Sequence, residues 1–170
     1  MKLAPCGFLA LVLVGCSSAP RASTDVSIVR GMRSWDRLKT ALPGTWRATA
    51  PSGGPITVSY RLVAGDSALL ESFVTPSGRE TITMIHPDGE RLLLTHYCGQ
   101  GNQPRLVLHP VSRDAVSFTM VDATNVLRGQ AILVERTLRF VRDGFEQIEL
   151  YRQPDGSSER TSLMFTRADR

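Results

Sequence analysis

Apolar residues repeat along this chain with two different periods, and the change between them falls at Gly44. Before that point Trp35, Leu38 and Leu42 are spaced as i, i+3 and i+7, which predicts one short amphipathic helix. Ser34 is a candidate N-cap, and a Pro-Gly pair stops the helix at its other end. In a β protein a single short helix usually covers an open end or edge of the sheet, and we expect that position here.

From Gly44 onward, apolar and polar residues alternate in short segments separated by turns. Residues 56–62 alternate most regularly, and Asp88-Gly89 is a strong hairpin signal. About ten such segments follow one another at hairpin spacing without a crossover helix. A meander of this kind closes as an up-and-down barrel or folds as two stacked sheets, and closure removes the exposed edges. The sequence therefore predicts one all-β domain over residues 31–170, an antiparallel up-and-down barrel of about ten strands with one short N-terminal helix.

The N-terminus carries the features of an export signal. Lys2 supplies a positive start, and residues 8–14 form an apolar run that is too short to span a bilayer. The run ends at Gly15-Cys16, so a cysteine stands at the cleavage site in place of the usual small residue. An ordinary secretory signal with a chance cysteine is the alternative interpretation.

This order of apolar run, small residue and cysteine resembles the bacterial lipoprotein signal. The resemblance implies that residues 1–15 are a signal peptide, and that Cys16 is lipidated and anchors the protein to a membrane. Residues 16–30 contain few apolar side chains and would form a flexible tether. Ser17 after the cysteine, in place of an aspartate, favours the outer membrane with the domain facing the periplasm.

Composition argues against a nucleic-acid partner and against an internal disulfide. The formal net charge is +4, and the arginines are scattered singly among acidic residues. No basic run is interleaved with aromatic residues, so the electrostatic footprint of nucleic-acid binding is missing. Of the three cysteines, Cys6 leaves with the signal and Cys16 carries lipid. Cys98 is then the single thiol of the domain, which leaves no partner for an internal disulfide.

The chemically distinctive residues gather at positions 95–105, where a strand ends in a loop. His96 and Cys98 are two apart on one strand, so both point to the same face. Such a pair could grip a soft metal or haem iron, or act as base and nucleophile. A structural zinc site needs four ligands, however, and no third group that would orient the histidine is evident. We favour a hydrogen-bonded histidine beside a small buried thiol, with no metal and no catalytic role.

Other polar residues have two interpretations each. Glu71 could pair with Arg105 inside the barrel as a clasp for a ligand carboxylate, or it could face water or form a structural ion pair. Asn102 and Gln103 could form hydrogen bonds with the polar head of a ligand, or could serve only the geometry of the loop. The candidate ligand-binding residues are Trp46, Tyr60, Glu71, His96, Cys98, Asn102, Gln103 and Arg105.

Two segments resemble known families. Gly44-Thr45-Trp46 is similar to the opening of lipocalin and related calycin barrels, in which the Trp plugs the barrel floor beside a covering helix. Residues 84–105, which carry Asp-Gly, then Leu-Thr-His-Tyr-Cys and Gly-Asn-Gln-Pro-Arg, resemble an uncharacterised bacterial family of lipocalin-like domains. The second lipocalin motif is missing, and no Arg partner for Trp46 is evident. The resemblance implies a calycin-like barrel and supplies no established activity.

The function predicted from these features is an envelope lipoprotein whose calycin-like barrel binds a small apolar or amphipathic ligand. One alternative is a structural lipoprotein with a filled barrel that docks an envelope partner. Another is an enzyme that uses His96 and Cys98. No cofactor is predicted, because no histidine follows His109 in the place where haem-binding calycins of the nitrobindin type have theirs.

Overall fold

A computed structural model describes residues 22–112 and 114–168 of the chain. Within these ranges one helix precedes ten strands. The elements are α1 (Ala22–Ala41), β1 (Gly44–Thr49), β2 (Pro55–Val63), β3 (Ala68–Val74), β4 (Glu80–Asp88), β5 (Arg91–Tyr97), β6 (Gln103–Ser112), β7 (Ala115–Thr124), β8 (Ile132–Val141), β9 (Gly144–Arg152) and β10 (Ser158–Arg167). The predicted signal peptide at residues 1–15 and the lipidation site Cys16 lie outside the described residues.

The strands form one closed barrel in which each strand pairs antiparallel with the strand that follows it in the chain. The barrel closes between its first and last strands, where Trp46 pairs with Arg167 and Arg47 with Thr166. The alternating sequence pattern produces this arrangement, because each strand has one face toward the interior. The predicted all-β, antiparallel up-and-down barrel of about ten strands is confirmed.

Helix α1 is longer than the sequence pattern predicted. It begins at Ala22 rather than near Ser34, so residues 22–30, which were expected to belong to a flexible tether, are helical. Residues 22–30 contain neither glycine nor proline, and Gly31, the single glycine of α1, costs a helix only about 1 kcal/mol, so a helix that forms over the apolar positions can extend through this segment. Over the described ranges, no helix combines the length and apolar character that crossing a bilayer requires.

The helix covers one end of the barrel. Leu38 and Leu42 are fully buried there. Arg37 approaches Asp114 in the β6–β7 turn at 4.0 Å, and a Cβ on Gly31 would lie 3.0 Å from a backbone oxygen in the β4–β5 turn. Both turns lie at the same end of an up-and-down barrel. The apolar face of α1 therefore closes that end.

The half of the barrel beside the helix is filled with apolar side chains. Trp46 and Phe145 pack edge to face with ring centroids 5.1 Å apart, and Phe145 stacks on Phe165 at the same distance. Leu106 and Phe118 are fully buried in this core. Burial of this apolar area is the main source of stability, and Trp46 packs into it with one edge on a separate cleft of about 210 Å³ outside the core, beside the β8–β9 turn and Arg167.

Arg167 joins the helix to the barrel. Its guanidinium stacks over the Trp46 ring at 4.2 Å from the centroid, and it donates hydrogen bonds to Pro43 O at 2.8 Å and Ala41 O at 3.3 Å. Gly44 is required beside it, because a Cβ there would lie 2.3 Å from Arg167 Nη1 and the backbone φ is +125°. The arginine partner of Trp46 that was not evident in the sequence is thus Arg167.

Candidate functional site

The barrel opens into a cavity of about 240 Å³ at the end opposite to the helix. The strands β3, β4, β5, β8 and β9 contribute its walls, and the β3–β4 and β5–β6 turns form its rim. The lining residues are Phe73, Thr75, Arg79, Thr81, His96, Cys98, Gly99, Gln100, Arg136, Gln147, Glu149 and Tyr151. The cavity includes two of the residues predicted from the sequence, His96 and Cys98.

A β-bulge in β8 brings Arg136 to the floor of this cavity. The pairing of β8 with β9 shifts register between Leu133 and Glu135. Because of the extra residue, both Leu133 and Arg136 point into the barrel, although strict alternation would turn the arginine outward. The side chain of Arg136 is 2% exposed. A bulge is therefore what places a positive charge in the interior.

Arg136 is held between two carboxylates. Its Nη1 donates to both oxygens of Glu71, at 2.9 and 3.2 Å, and its Nη2 lies 2.5 Å from Glu149 Oε1. Burial by itself lowers the pKa of Arg136, but the two carboxylates outweigh it and hold the pKa above its usual range. The guanidinium is therefore permanently charged and fixed in place.

Glu71 has no free acceptor capacity. Tyr60 donates its hydroxyl to Glu71 Oε2 at 2.6 Å, and Thr83 donates to Oε1 at 2.8 Å. Burial raises the pKa of Glu71, but Arg136 and these two donors hold it below its usual value. The pKa of Tyr60 is raised, by burial and then by the neighbouring Glu71 charge. The carboxylate is therefore ionised and saturated, and Tyr60 remains a donor.

His96 is neutral at physiological pH. Its Nδ1 lies 3.0 Å from Thr83 Oγ1 and 3.4 Å from Arg136 Nη2. Burial and then the Arg136 charge lower the pKa of His96 to about 3. Within the part of the chain that the structure describes, His96 and Cys98 form no hydrogen bond with each other. The two side chains are therefore not joined as base and nucleophile in this structure, and the enzyme alternative stays a prediction.

The β9 side of the cavity carries a second polar group. Gln147 donates to Glu149 Oε1 at 3.2 Å, and Tyr151 donates its hydroxyl to Glu149 Oε2 at 3.3 Å. Burial and the Glu149 charge raise the pKa of Tyr151, so its proton is retained. In this network, Gln147 Oε1 and Arg136 Nε are buried without a hydrogen-bond partner among the described residues. These two atoms leave the network incomplete.

Of the two interpretations of Glu71, the clasp with Arg105 is wrong, and the structural ion pair agrees with its contact to Arg136. Arg105 lies on the outside of β6, where its Nε donates to Asp122 Oδ1 at 2.6 Å. Strand alternation explains the position, because Leu106 is fully buried in the interior and its neighbour must face outward. The interior partner of Glu71 is Arg136, which the sequence did not single out.

Asn102 and Gln103 hold loops together and do not line the cavity. Asn102 is fully buried, and its Nδ2 donates to Gln130 Oε1 and to Ala131 O, both at 3.1 Å. Gln103 Nε2 donates to Gly101 O at 2.7 Å. The structural interpretation of this pair agrees with these contacts. Trp46 lies in the filled half.

The comparisons with known proteins assign no family. No family model matches the chain, and no curated protein matches it. No group of three or more metal-binding side chains comes together in the described ranges. The fold and site define a closed, ten-stranded antiparallel barrel with an apolar half, a charged interior layer and a cavity open at one end. The lipocalin-like family stays a prediction.

Proposed function

We propose that this protein is an envelope lipoprotein whose barrel binds a small amphipathic molecule in the open cavity. The cavity itself is the observation that carries the proposal. A barrel that served only as a scaffold would be filled along its whole length, whereas this one is filled beside the helix and hollow at the other end.

The size and lining of the cavity support a small ligand. At about 240 Å³ the cavity is smaller than the roughly 300–1,000 Å³ of sites for drug-sized compounds. Phe73 and Tyr151 supply aromatic wall, while Arg136, Gln147 and Glu149 supply a polar floor. A compact molecule with one apolar part and one polar head matches both surfaces.

The position of the buried charges also supports binding. A buried ion pair is weak support for stability, because apolar side chains of similar volume often serve as well. The Arg136–Glu71 pair nevertheless lies between the apolar core and the cavity. Charged side chains are expected in an otherwise apolar interior where a binding site requires them.

The test is native mass spectrometry of the protein purified from its own envelope and delipidated. We expect a bound small molecule that is lost in the variant Thr81→Trp, because Thr81 lines the cavity and the indole would fill it. Thr119→Trp on the exposed outer face of β7 is the matched control and should keep the molecule. A protein that carries nothing, with a cavity closed in an experimental structure, would contradict the proposal.

The membrane attachment rests on the sequence alone. Cys16→Ser should abolish incorporation of labelled fatty acid and release the domain from membranes, whereas Cys98→Ser should change neither. Retention of the lipid label in Cys16→Ser would exclude this anchor.

A docking role in the envelope is the second candidate. Val121, Val126 and Leu127 are 56%, 43% and 62% exposed, and they lie beside the part of β7 that does not pair with β8. Crosslinking in cells from Val121, with the exposed Thr119 as control position, tests this role. A specific crosslinked protein would support it, and no crosslink from either position would contradict it.

A further inference from the structure

The charges buried at the cavity floor do not balance. Side-chain exposure is 2% for Arg136, 1% for Glu71 and 14% for Glu149. Two carboxylates therefore face one guanidinium, and the adjacent His96 is neutral. The described interior carries one excess negative charge in a region of low dielectric.

The nearby positive charge does not cancel this excess. Arg79 lines the rim of the cavity, but its side chain is exposed and water screens it. Thr75 and Thr81 contribute neutral hydroxyls to the walls. An uncompensated buried charge is costly, so a ligand that supplies the opposite charge gains more here than it would at a balanced site.

The acceptors that a ligand could use belong to Glu149 and Gln147. Glu149 Oε1 is engaged by Arg136 and Gln147, whereas Oε2 receives only the Tyr151 hydroxyl at 3.3 Å among the described residues. A carboxylate oxygen accepts two hydrogen bonds, so Oε2 has capacity left. Gln147 Oε1 lacks a donor altogether. Arg136 Nε lacks an acceptor, but the charge of Arg136 is already matched by Glu71.

We propose that the cavity takes a small organic cation, a primary amine on a compact apolar body, with Glu149 as its counter-ion. The ammonium donates to Glu149 Oε2, and the apolar body packs against Phe73 and the Tyr151 ring, which lie on the cavity wall. An aromatic face attracts a cation and does not attract an anion. A ligand carboxylate would be repelled by Glu149. This inference rests on the proposed function and specifies the chemistry of the ligand.

The experiment compares three probes of nearly equal shape: benzylamine, benzyl alcohol and benzoate. Each is titrated into the labelled protein at pH 7 while amide and side-chain NMR signals of Phe73, Cys98 and Tyr151 are followed. We expect benzylamine to shift these signals and to bind about tenfold more tightly than benzyl alcohol, which corresponds to about 1.4 kcal/mol. Benzoate should leave the signals unchanged.

Glu149→Gln tests the counter-ion without emptying the site. The amide keeps the shape, and Arg136 keeps Glu71 as its partner, so the fold should survive, which a thermal melt checks. Benzylamine should then bind no better than benzyl alcohol. Glu135→Gln removes the same charge from the exposed side of β8 and should leave the preference for benzylamine intact.

The outcomes separate this inference from the proposed function. Benzyl alcohol or benzoate binding at the cavity as tightly as benzylamine would overturn the cation inference while supporting a binding cavity. An unchanged preference for benzylamine in Glu149→Gln would also overturn it. If none of the three probes shifts a cavity signal, the cation inference is wrong, and the proposed function is then decided by the native mass spectrum.

Discussion

Two arginines occupy opposite halves of the barrel, and different kinds of partner satisfy them. Arg167 lies at the helix end, where it stacks on Trp46 and donates to backbone carbonyls at the end of α1. Arg136 lies inside the cavity half, where the carboxylates of Glu71 and Glu149 hold it.

The two halves differ in how much charge they keep out of water. The helix end uses uncharged partners and buries mainly apolar surface, so its arginine joins two elements at little electrostatic cost. The cavity end keeps full charges out of water, which is favourable only while every partner is present. The consequences of removing each arginine should therefore differ in size and in pH dependence.

The largest effect is expected from Arg136→Met. The substitution leaves Glu71 and Glu149 buried without a counter-charge, and it should lower the free energy of unfolding by about 3–5 kcal/mol. Arg105→Met, which removes an exposed ion pair with Asp122, should cost far less, because water screens that pair. Chemical denaturation measures both. Equal losses would mean that the interior pair carries no more energy than the surface pair.

The pH dependence of stability is expected to follow His96. The pKa of His96 in the folded state, about 3, lies below the ordinary value of 6.5. As the pH falls below 6.5, the unfolded state therefore binds a proton at His96, whereas the folded state does not. Stability should drop by about 2–3 kcal/mol between pH 6.5 and 4.5.

Urea denaturation over this pH range measures the slope. His96→Gln should flatten it, whereas His109→Gln, on the exposed face of β6, should not. Below that range the lowered pKa of Glu71 adds loss in the same direction as acid protonates its carboxylate. An equally steep slope in His96→Gln would assign the acid sensitivity to other groups.

A smaller effect is expected at the helix end from Gly44→Ala. The new Cβ would displace the Arg167 guanidinium and would hold a positive φ, so a loss of about 1–3 kcal/mol is expected. Gly53→Ala is the control, because it also has a positive φ but has open space around it. Thermal denaturation should show the larger loss for Gly44→Ala. Equal losses would mean that the contact with Arg167 contributes nothing.

The barrel could be predicted from sequence because each strand reveals itself by the alternation of residues within its own short segment. Each strand buries one face, so alternation along residues 56–62 or 145–151 reports directly on the sheet. The same alternation, applied to β6, places Arg105 opposite to Leu106 and would have excluded the clasp with Glu71. On β9 it groups Gln147 and Glu149 with the buried Phe145.

The centre of the site was harder to predict, because it depends on a bulge and on pairing across the barrel. Leu133 and Leu138 are both buried but stand five residues apart, which is incompatible with uninterrupted alternation. The change from odd-numbered to even-numbered apolar positions within β8 indicated a bulge, and a bulge there turns Arg136 toward the interior. The contact between Trp46 and Arg167 had no local signal, because it depends on which strands meet when the sheet closes.

The seam between β1 and β10 makes barrel closure a late event in folding. All other neighbouring strands are joined by short turns and can pair as hairpins while the chain is being made, but residue 46 meets residue 167 only across nearly the whole domain. A chain that stops short of β10 would carry nine strands in an open sheet. Glu71 on β3 and Arg136 on β8 belong to strands that are not neighbours and meet across the interior, so the charged layer is complete only once the sheet has curled into the barrel.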